Sequence, residues 1–285
     1  MSAVADTPLP SGITLRMVQI PGGPLAVHDA APVGEPRGTV LLVPGFTGSK
    51  EDFRPILEPL AAAGWRTVAV DQRGQYQSPG PHDRAAYTTA TLGADLLHLV
   101  AALGDGPVHL VGHSFGGLVS RSAVLQDRTQ FRSLTLLDSG PSALQGPRVE
   151  MFPFLAPILE DGGLPALWDA SSSLPPNPAK PVPTDETKDF LRRRFVEGTA
   201  AALLGMADSL TTEPDRVDEL ATVDLPLLVM YGEKDDAWTP DQQDQMAERL
   251  GAPVIVVTGA WHSPAAENPS LTAQVLLDWL ASTSR

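Results

Sequence analysis

The segment best suited to chemistry is Gly112-His113-Ser114-Phe115-Gly116-Gly117. It follows the short apolar stretch Pro107–Val111 and precedes Leu118–Leu125, an order that reads as strand, sharp turn, helix. In a turn of this kind the serine adopts a strained backbone conformation that lifts its hydroxyl above the sheet. Gly112 and Gly116 stand two residues either side of Ser114, where any β-carbon would crowd the backbone. The helix that follows directs its N-terminal N–H groups toward charge forming near Ser114. The pattern predicts a serine nucleophile, and therefore an enzyme.

A serine hydroxyl is a poor nucleophile at neutral pH, so it needs a base within hydrogen-bond reach and an acid to orient that base. Six histidines are available. His28 falls on a hairpin, His82 in a loop, His98 on a helix and His109 on a strand; His113 is expected to face away from Ser114. Only His262 directly follows a late strand, in Thr258-Gly259-Ala260-Trp261-His262. Loops after the C-termini of parallel strands gather at one edge of a sheet, which makes His262 the expected base. The acid should follow a strand between the two. Leu227–Tyr231 runs into Gly232-Glu233-Lys234-Asp235-Asp236, so Asp235 is the expected acid, with Asp236 its main competitor. Asp138, after Ser133–Leu137, is a third candidate; its structural role would be to bond N–H groups of the Ser139-Gly140-Pro141 turn. An oxyanion needs two donors. The N–H of Phe115 is one, and the N–H of Phe46 in the loop Pro44–Gly48 is the other, with Gly45 letting the backbone turn.

These residues need a scaffold. Thr14–Ile20 and Leu25–His28 flank Pro21-Gly22-Gly23-Pro24 and read as an edge hairpin. Thr39–Val43, Thr67–Val70, Val108–Val111, Ser133–Leu137, Leu227–Tyr231 and Val254–Val257 read as buried strands. Between them lie helical stripes: Phe53, Ile56, Leu57 and Leu60, closed by Gly64, with Pro55 and Pro59 disturbing the first turns; then Leu92, Leu96, Leu99, Val100 and Leu103 over Thr91–Leu103. Asn268 and Pro269 open a last helix. This alternation predicts a mainly parallel sheet with helices on both faces. It breaks between Gly140 and Asp224. There, apolar clusters (Met151 to Ile158; Leu164, Leu167, Trp168) precede a Pro-rich stretch, Pro175–Pro183, and helical segments Glu186–Val196 and Thr199–Ser209. This part reads as a helical insertion over the sheet. Its basic group, Lys188, Arg192, Arg193 and Arg194, reads first as a solvated helix face, and secondarily as an anionic-substrate contact.

Composition limits the partners. The 285 residues are 42% hydrophobic, enough for one large domain or a domain with an insertion. A net charge of −14 repels nucleic acid and anionic membranes. Without cysteine there are no disulfides and no thiol-based metal sites. No phosphate loop, H-E-x-x-H or strand-linked G-x-G-x-x-G is present, so no metal and no cofactor is expected. Met1–Pro8 has neither a basic start nor an apolar run, and no apolar run approaches the ~18 residues of a membrane span. A soluble, cytoplasmic protein is expected.

Pro44-Gly45-Phe46, Asp71-Gln72-Arg73-Gly74, the Ser114 turn, Gly232–Asp235 and His262 together resemble the α/β-hydrolase fold superfamily, in its capped, esterase-like serine hydrolases. The resemblance spans the chain except the insertion. It implies an eight-stranded, mostly parallel sheet flanked by helices, with a helical lid between the sixth and seventh strands. The core would be residues 1–140 and 224–285 and the lid 141–223. It also implies cofactor-free catalysis, with Asp-x-Arg-Gly serving the fold rather than the chemistry. Departures are Pro44-Gly45 where members often have His-Gly, Gln75-Tyr76-Gln77-Ser78 after Gly74, and Ala260-Trp261 before the histidine. A serine nucleophile argues against the aspartate-dependent dehalogenases and epoxide hydrolases of this fold. The expected activity is cleavage of a carboxylic ester or related acyl compound through Ser114, His262 and Asp235. Rival readings are a C–C bond hydrolase, a lactonase, a cofactor-free haloperoxidase-like enzyme, or a ligand receptor retaining the machinery. The expected partner is a small molecule with an apolar acyl or aromatic group. Of Phe152, Phe154, Leu155 and Trp168, most should pack the lid down and one or two line the pocket, while Trp238 and Trp261 wall or shield the acid–histidine pair.

Overall fold

Val40 and Leu42 point to one side of their strand and Leu41 and Val43 to the other, and all four are fully buried. A strand of this kind must have helices on both faces, because successive side chains alternate. The computed structural model describes residues 9–150, 152–174 and 182–283. Met1–Pro8, Met151 and most of the Pro-rich stretch lie outside the described residues.

The strands are β1 (Ile13–Ile20), β2 (Gly23–Ala30), β3 (Gly38–Val43), β4 (Trp65–Val70), β5 (Val108–His113), β6 (Phe131–Leu137), β7 (Leu227–Gly232) and β8 (Val254–Val257). They form one eight-stranded sheet in the order β1-β2-β4-β3-β5-β6-β7-β8. β2 is antiparallel to both of its neighbours, and every other pair is parallel. The edge hairpin turns between Ile20 and Gly23, as Pro21-Gly22-Gly23-Pro24 predicts.

Helices α1 (Arg54–Ala62), α2 (Thr89–Leu103) and α3 (Phe115–Gln126) fill the first crossovers. Pro55 sits in the first turn of α1, where a missing N–H costs nothing; Pro59 is carried inside it, and Gly64 with φ 90° follows its end. α2 starts at Thr89 because the Thr88 hydroxyl accepts the Thr91 N–H, and it stops at Gly104, which takes φ 75°. Between β6 and β7 come α4 (Leu155–Ser172), α5 (Asp185–Val196), α6 (Ala200–Thr212) and α7 (Val217–Ala221), with no strand among the described residues there. α4 is bent at Gly163, whose φ is 68°. The chain closes with α8 (Pro240–Leu250), α9 (Pro264–Glu267) and α10 (Pro269–Thr283). The Asn268 side chain accepts the Leu271 N–H at the start of α10.

The core has two layers. Val40, Leu42, Val111, Leu228 and Met230 pack against Ile56, Leu57 and Leu60 of α1 and Leu276 and Leu280 of α10. On the opposite face Leu41, Val43, Leu110 and Val229 pack against Leu96 and Leu99 of α2, Val119 of α3 and Met246 of α8. Each such side chain contributes roughly 1.5–3 kcal/mol by burial, which fixes the register of the strands that carry the site. A smaller cluster, Leu155, Leu164, Leu167, Leu203 and Ala207, holds the α4–α6 helices to each other. α6 and α7 also insert Met206, Leu210, Val217 and Leu220 into the larger layer. No helix among the described residues is long and apolar enough to cross a membrane.

Candidate active site

Ser114 occupies the turn between β5 and α3 with φ 54° and ψ −124°, a backbone conformation that non-glycine residues rarely adopt. Two main-chain bonds hold it there: its N–H donates to the Leu137 carbonyl, and its carbonyl accepts the Gly117 N–H, both at 2.9 Å. The flanking glycines are required by space, since neither takes a positive φ. A β-carbon on Gly112 would lie 2.5 Å from the Gly116 carbonyl oxygen and from Ser120 Oγ, and one on Gly116 would run into the Val43 and Pro44 carbonyls.

The three residues named from the sequence meet. Ser114 Oγ lies 2.9 Å from His262 Nε2, and His262 Nδ1 lies 2.7 Å from Asp235 Oδ1. A carboxylate only accepts, so the imidazole donates from Nδ1 and leaves Nε2 as the acceptor for the serine hydroxyl. Asp235 is buried and accepts two further bonds, from the Ala237 N–H at 2.9 Å and from Gln243 Nε2 at 2.8 Å. Asp236, the main competitor, turns outward and pairs with Arg148.

Asp138 departs from its expected structural role. Its Oδ1 accepts the Gly232 N–H of the neighbouring strand at 2.9 Å, rather than N–H groups of its own turn. Side-chain ligand atoms of Asp138, Asp235 and His262 lie within 4.8 Å of one another. Burial, and then the charge on Asp235, push the Asp138 carboxyl well above the usual carboxylate range. Among the described residues this trio is the one grouping whose atoms converge as a metal site would need, and its imidazole Nδ1 is already engaged.

His113 corrects the sequence reading, which turned it away from Ser114. Its Nε2 donates to the His262 main-chain carbonyl at 2.6 Å, and the two rings stand 5.2 Å apart. Strand alternation fails here because Ser114 leaves the extended conformation, so neighbouring side chains no longer point to opposite faces. Burial and the nearby His262 pull the His113 imidazole down to about 4, which keeps it neutral.

The loop after β3 lies directly against the serine. A β-carbon on Gly45 would sit 2.9 Å from Ser114 Cβ and 3.2 Å from its Oγ. Gly45 therefore serves close approach, and the left-handed residue of the loop is Thr47, with φ 58°. Two glutamines that the sequence reading did not assign hold this loop. Gln72 Nε2 donates to the Pro44 carbonyl and Gln75 Nε2 to the Gly45 carbonyl, each at 2.8 Å. In a trans peptide the Gly45 C=O and the Phe46 N–H point in opposite directions, so Gln75 fixes where the Phe46 N–H is aimed. Neither the Phe46 nor the Phe115 N–H has an acceptor among the described residues. The signal for Gln75 was its departure from the Gly-x-Gly-x-Ser pattern. Asp71 and Arg73 serve the framework: Asp71 accepts from Lys50 Nζ at 2.8 Å, and Arg73 grips Asp95.

Ser114, His113 and His262 open into a solvent-connected cavity of about 880 Å³, whose wall includes Phe46, Phe152, Asp52, Arg148 and Arg194. A second, solvent-connected pocket of about 360 Å³, open solvent included, shares Phe46 and Arg194 with it and is faced mainly by apolar side chains, among them Leu164, Phe195, Leu203 and Met206. Of the four apolar residues singled out in the insertion, Phe152 alone faces the Ser114 cavity. Phe154 is exposed, Leu155 joins the small helical cluster, and Trp168 packs against Phe195 with the rings tilted at 51° and 5.7 Å apart. Trp238 is buried 6.5 Å from the His262 ring.

The profile of a family described as alpha/beta hydrolase fold matches residues 38–269. Lipase 3 of Moraxella sp. (strain TA144) is 26% identical over 84% of this chain and 75% of its own length. A curated protein of Variovorax paradoxus (strain S110) is 38% identical, over 35% of this chain and 37% of the relative's length. Among solved structures, an esterase from Exiguobacterium antarcticum superposes with a TM-score of 0.79 at 19% identity, covering 94% of this chain and all of that one (100%). With the family profile spanning most of the sequence, the chain belongs to the alpha/beta hydrolase family and is a hydrolase enzyme.

Proposed function

We propose that the enzyme cleaves a carboxylic ester of a small molecule through an acyl-enzyme on Ser114. The observation that carries this reading is the continuous hydrogen-bonded line from Ser114 Oγ to His262 to Asp235, at 2.9 and 2.7 Å. His262 Nε2 takes the hydroxyl proton as Ser114 attacks the ester carbonyl carbon. The carbonyl oxygen becomes an oxyanion, held by the Phe46 and Phe115 N–H groups. Asp235 keeps the imidazole in its working tautomer and stabilises the imidazolium. The C–O bond to the alcohol breaks as His262 returns the proton to the leaving oxygen. Water, deprotonated by the same nitrogen, then attacks the acyl-enzyme and frees Ser114.

In this reading the helices of residues 141–223 form a lid over the site. The apolar cavity beyond Phe46 receives the acyl group.

The test is hydrolysis of p-nitrophenyl esters of increasing acyl length by wild type, Ser114→Ala and His262→Ala. Both variants should lose about 10³-fold or more in kcat, and a fluorophosphonate should label Ser114 in the wild type. Retention of most activity by Ser114→Ala would rule the mechanism out.

A further inference from the structure

Three charged side chains face the cavity above Ser114: Asp52, Arg148 and Arg194. Each guanidinium has one carboxylate partner, Asp52 for Arg194 and Asp236 for Arg148, in a chain whose net charge is −14. Arg194 belongs to α5, and Arg148 to the short helical turn Pro147–Val149. Each donates hydrogen bonds through one terminal nitrogen only, and Arg194 also lies over the Phe190 ring, 5.6 Å from its centroid. Arg194 donates through Nη1 to Asp52, and at 3.3 Å to Ser49 Oγ. Arg148 donates through Nη2 to Asp236.

Several arginines elsewhere in this protein are fastened at two points. Arg66 on Asp29, Arg73 on Asp95 and Arg249 on Asp215 each engage both carboxylate oxygens. A guanidinium carries five N–H donors in a fixed fork. On Arg194 the Nε and Nη2 donors have no acceptor among the described residues, and on Arg148 the same holds for Nε and Nη1. The Arg194 side chain is 14% exposed and that of Arg148 34%, so these donors face the water of the cavity. Guanidinium donors that face a cavity are open to a planar anion, which they bind through paired charge-assisted hydrogen bonds. Arg194 also stands at the junction of the two cavities, within reach of a ligand that enters either one.

We propose that the substrate is an ester that also bears a carboxylate, with Arg194 and Arg148 holding the carboxylate while the ester carbonyl lies at Ser114. A carboxylate matches the fork geometry of arginine, and two guanidiniums with free donors can grip it together. The inference rests on the hydrolytic reading of the Ser114 site and adds the class of substrate to it.

The test compares p-nitrophenyl hemiesters of succinic, glutaric and adipic acid with neutral p-nitrophenyl esters of equal chain length. The readout is the ratio of kcat/KM for the charged and neutral members, which cancels any difference in the folded fraction. For at least one length the ratio should exceed one by about tenfold or more, and it should fall about tenfold in Arg194→Gln or Arg148→Gln, the value of a charge-assisted hydrogen bond. Arg194→Lys should keep part of the preference. A second measurement, calorimetric titration with glutarate and with its neutral diamide, needs no turnover. Binding of glutarate but not the diamide, lost in Arg194→Gln, supports the anion site even if no ester is cleaved, in which case the hydrolytic reading fails alone. Cleavage of both ester types with a ratio at or below one, unchanged in the variants and with no glutarate binding, overturns the anion site and leaves the hydrolytic reading standing. Neither cleavage nor binding overturns both.

Discussion

Asp138 and Asp235 share one buried space, and the negative charge of Asp235 helps push the Asp138 carboxyl upward. Their partners divide the roles: Asp235 accepts three donors, including His262, while Asp138 accepts one. Asp138→Asn, which keeps a neutral acceptor for Gly232, should change kcat by less than about tenfold, whereas Asp235→Asn should cost about 10³-fold or more through the wrong imidazole tautomer. The reverse order of losses would exchange the two assignments. Gln75 acts at one remove, through the peptide it orients. Gln75→Met should lower kcat by about 10-fold or more with KM little changed, because the Phe46 N–H matters most once the oxyanion forms. A rise in KM alone would assign Gln75 to packing. At this scale the sequence was legible where a residue carries its own context. Ser114 is marked by its glycines and His262 by its late strand. Asp235 and Asp236 differ by one place, and only the turn after Gly232 decides which faces inward. Gln72 and His113 were opaque, and Gln75 stood out only as a departure from Gly-x-Gly-x-Ser, because their roles exist only once distant loops touch.

The elements were legible wherever one periodicity ran unbroken. β3, β7 and β8 lie where short apolar runs place them, and α2 differs only at its capped start. β5 runs on to His113, beyond the apolar residues, because the parallel ladder with β6 continues through His113 and Leu137. α4 was read as apolar clusters rather than as a helix, since Pro157, Gly162, Gly163 and Pro165 interrupt it and the chain answers with a bend. The junction of β5 and α3 is also where the fold tolerates change least. Gly116→Ala would drive a β-carbon into the carbonyls that end β3. It should cost about 1–3 kcal/mol in overpacking and remove most activity even where the protein is folded, since relief requires the Gly45–Phe46 loop to retreat from Ser114. Urea midpoints and specific activity measured together would separate the two losses. Full activity in a stably folded Gly116→Ala protein would contradict this packing argument.

Across the whole molecule, three buried histidines tie stability to pH. Burial pulls His28, His109 and His113 each down to about 4 from an ordinary value near 6.5. Between those values the unfolded chain takes up protons that the native imidazoles refuse. Their contribution is thus complete above pH 6.5 and is lost as pH falls toward 4, at about 1.4 kcal/mol per pH unit for a fully shifted group. Asp138, pushed upward, works in the opposite sense, so the informative comparison is internal. His109→Gln, which retains a hydrogen-bonding partner for Ser133 Oγ, should show a shallower fall of the urea midpoint between pH 7 and 4.5 than the wild type does. Equal slopes would mean that His109 titrates normally.

The order of the strands also sets a schedule. Ser114 and His262 are 148 residues apart, and the histidine follows β8, a four-residue strand paired to β7 alone at the edge of the sheet. The turn holding Ser114 depends on β3, β5 and β6, at the sheet's centre. During refolding the hydroxyl can be in place before its base has docked. Regain of fluorophosphonate labelling should then lag behind the burial of Trp65 in the central layers. Such a delay would keep the nascent enzyme chemically silent until its last strand has joined the sheet.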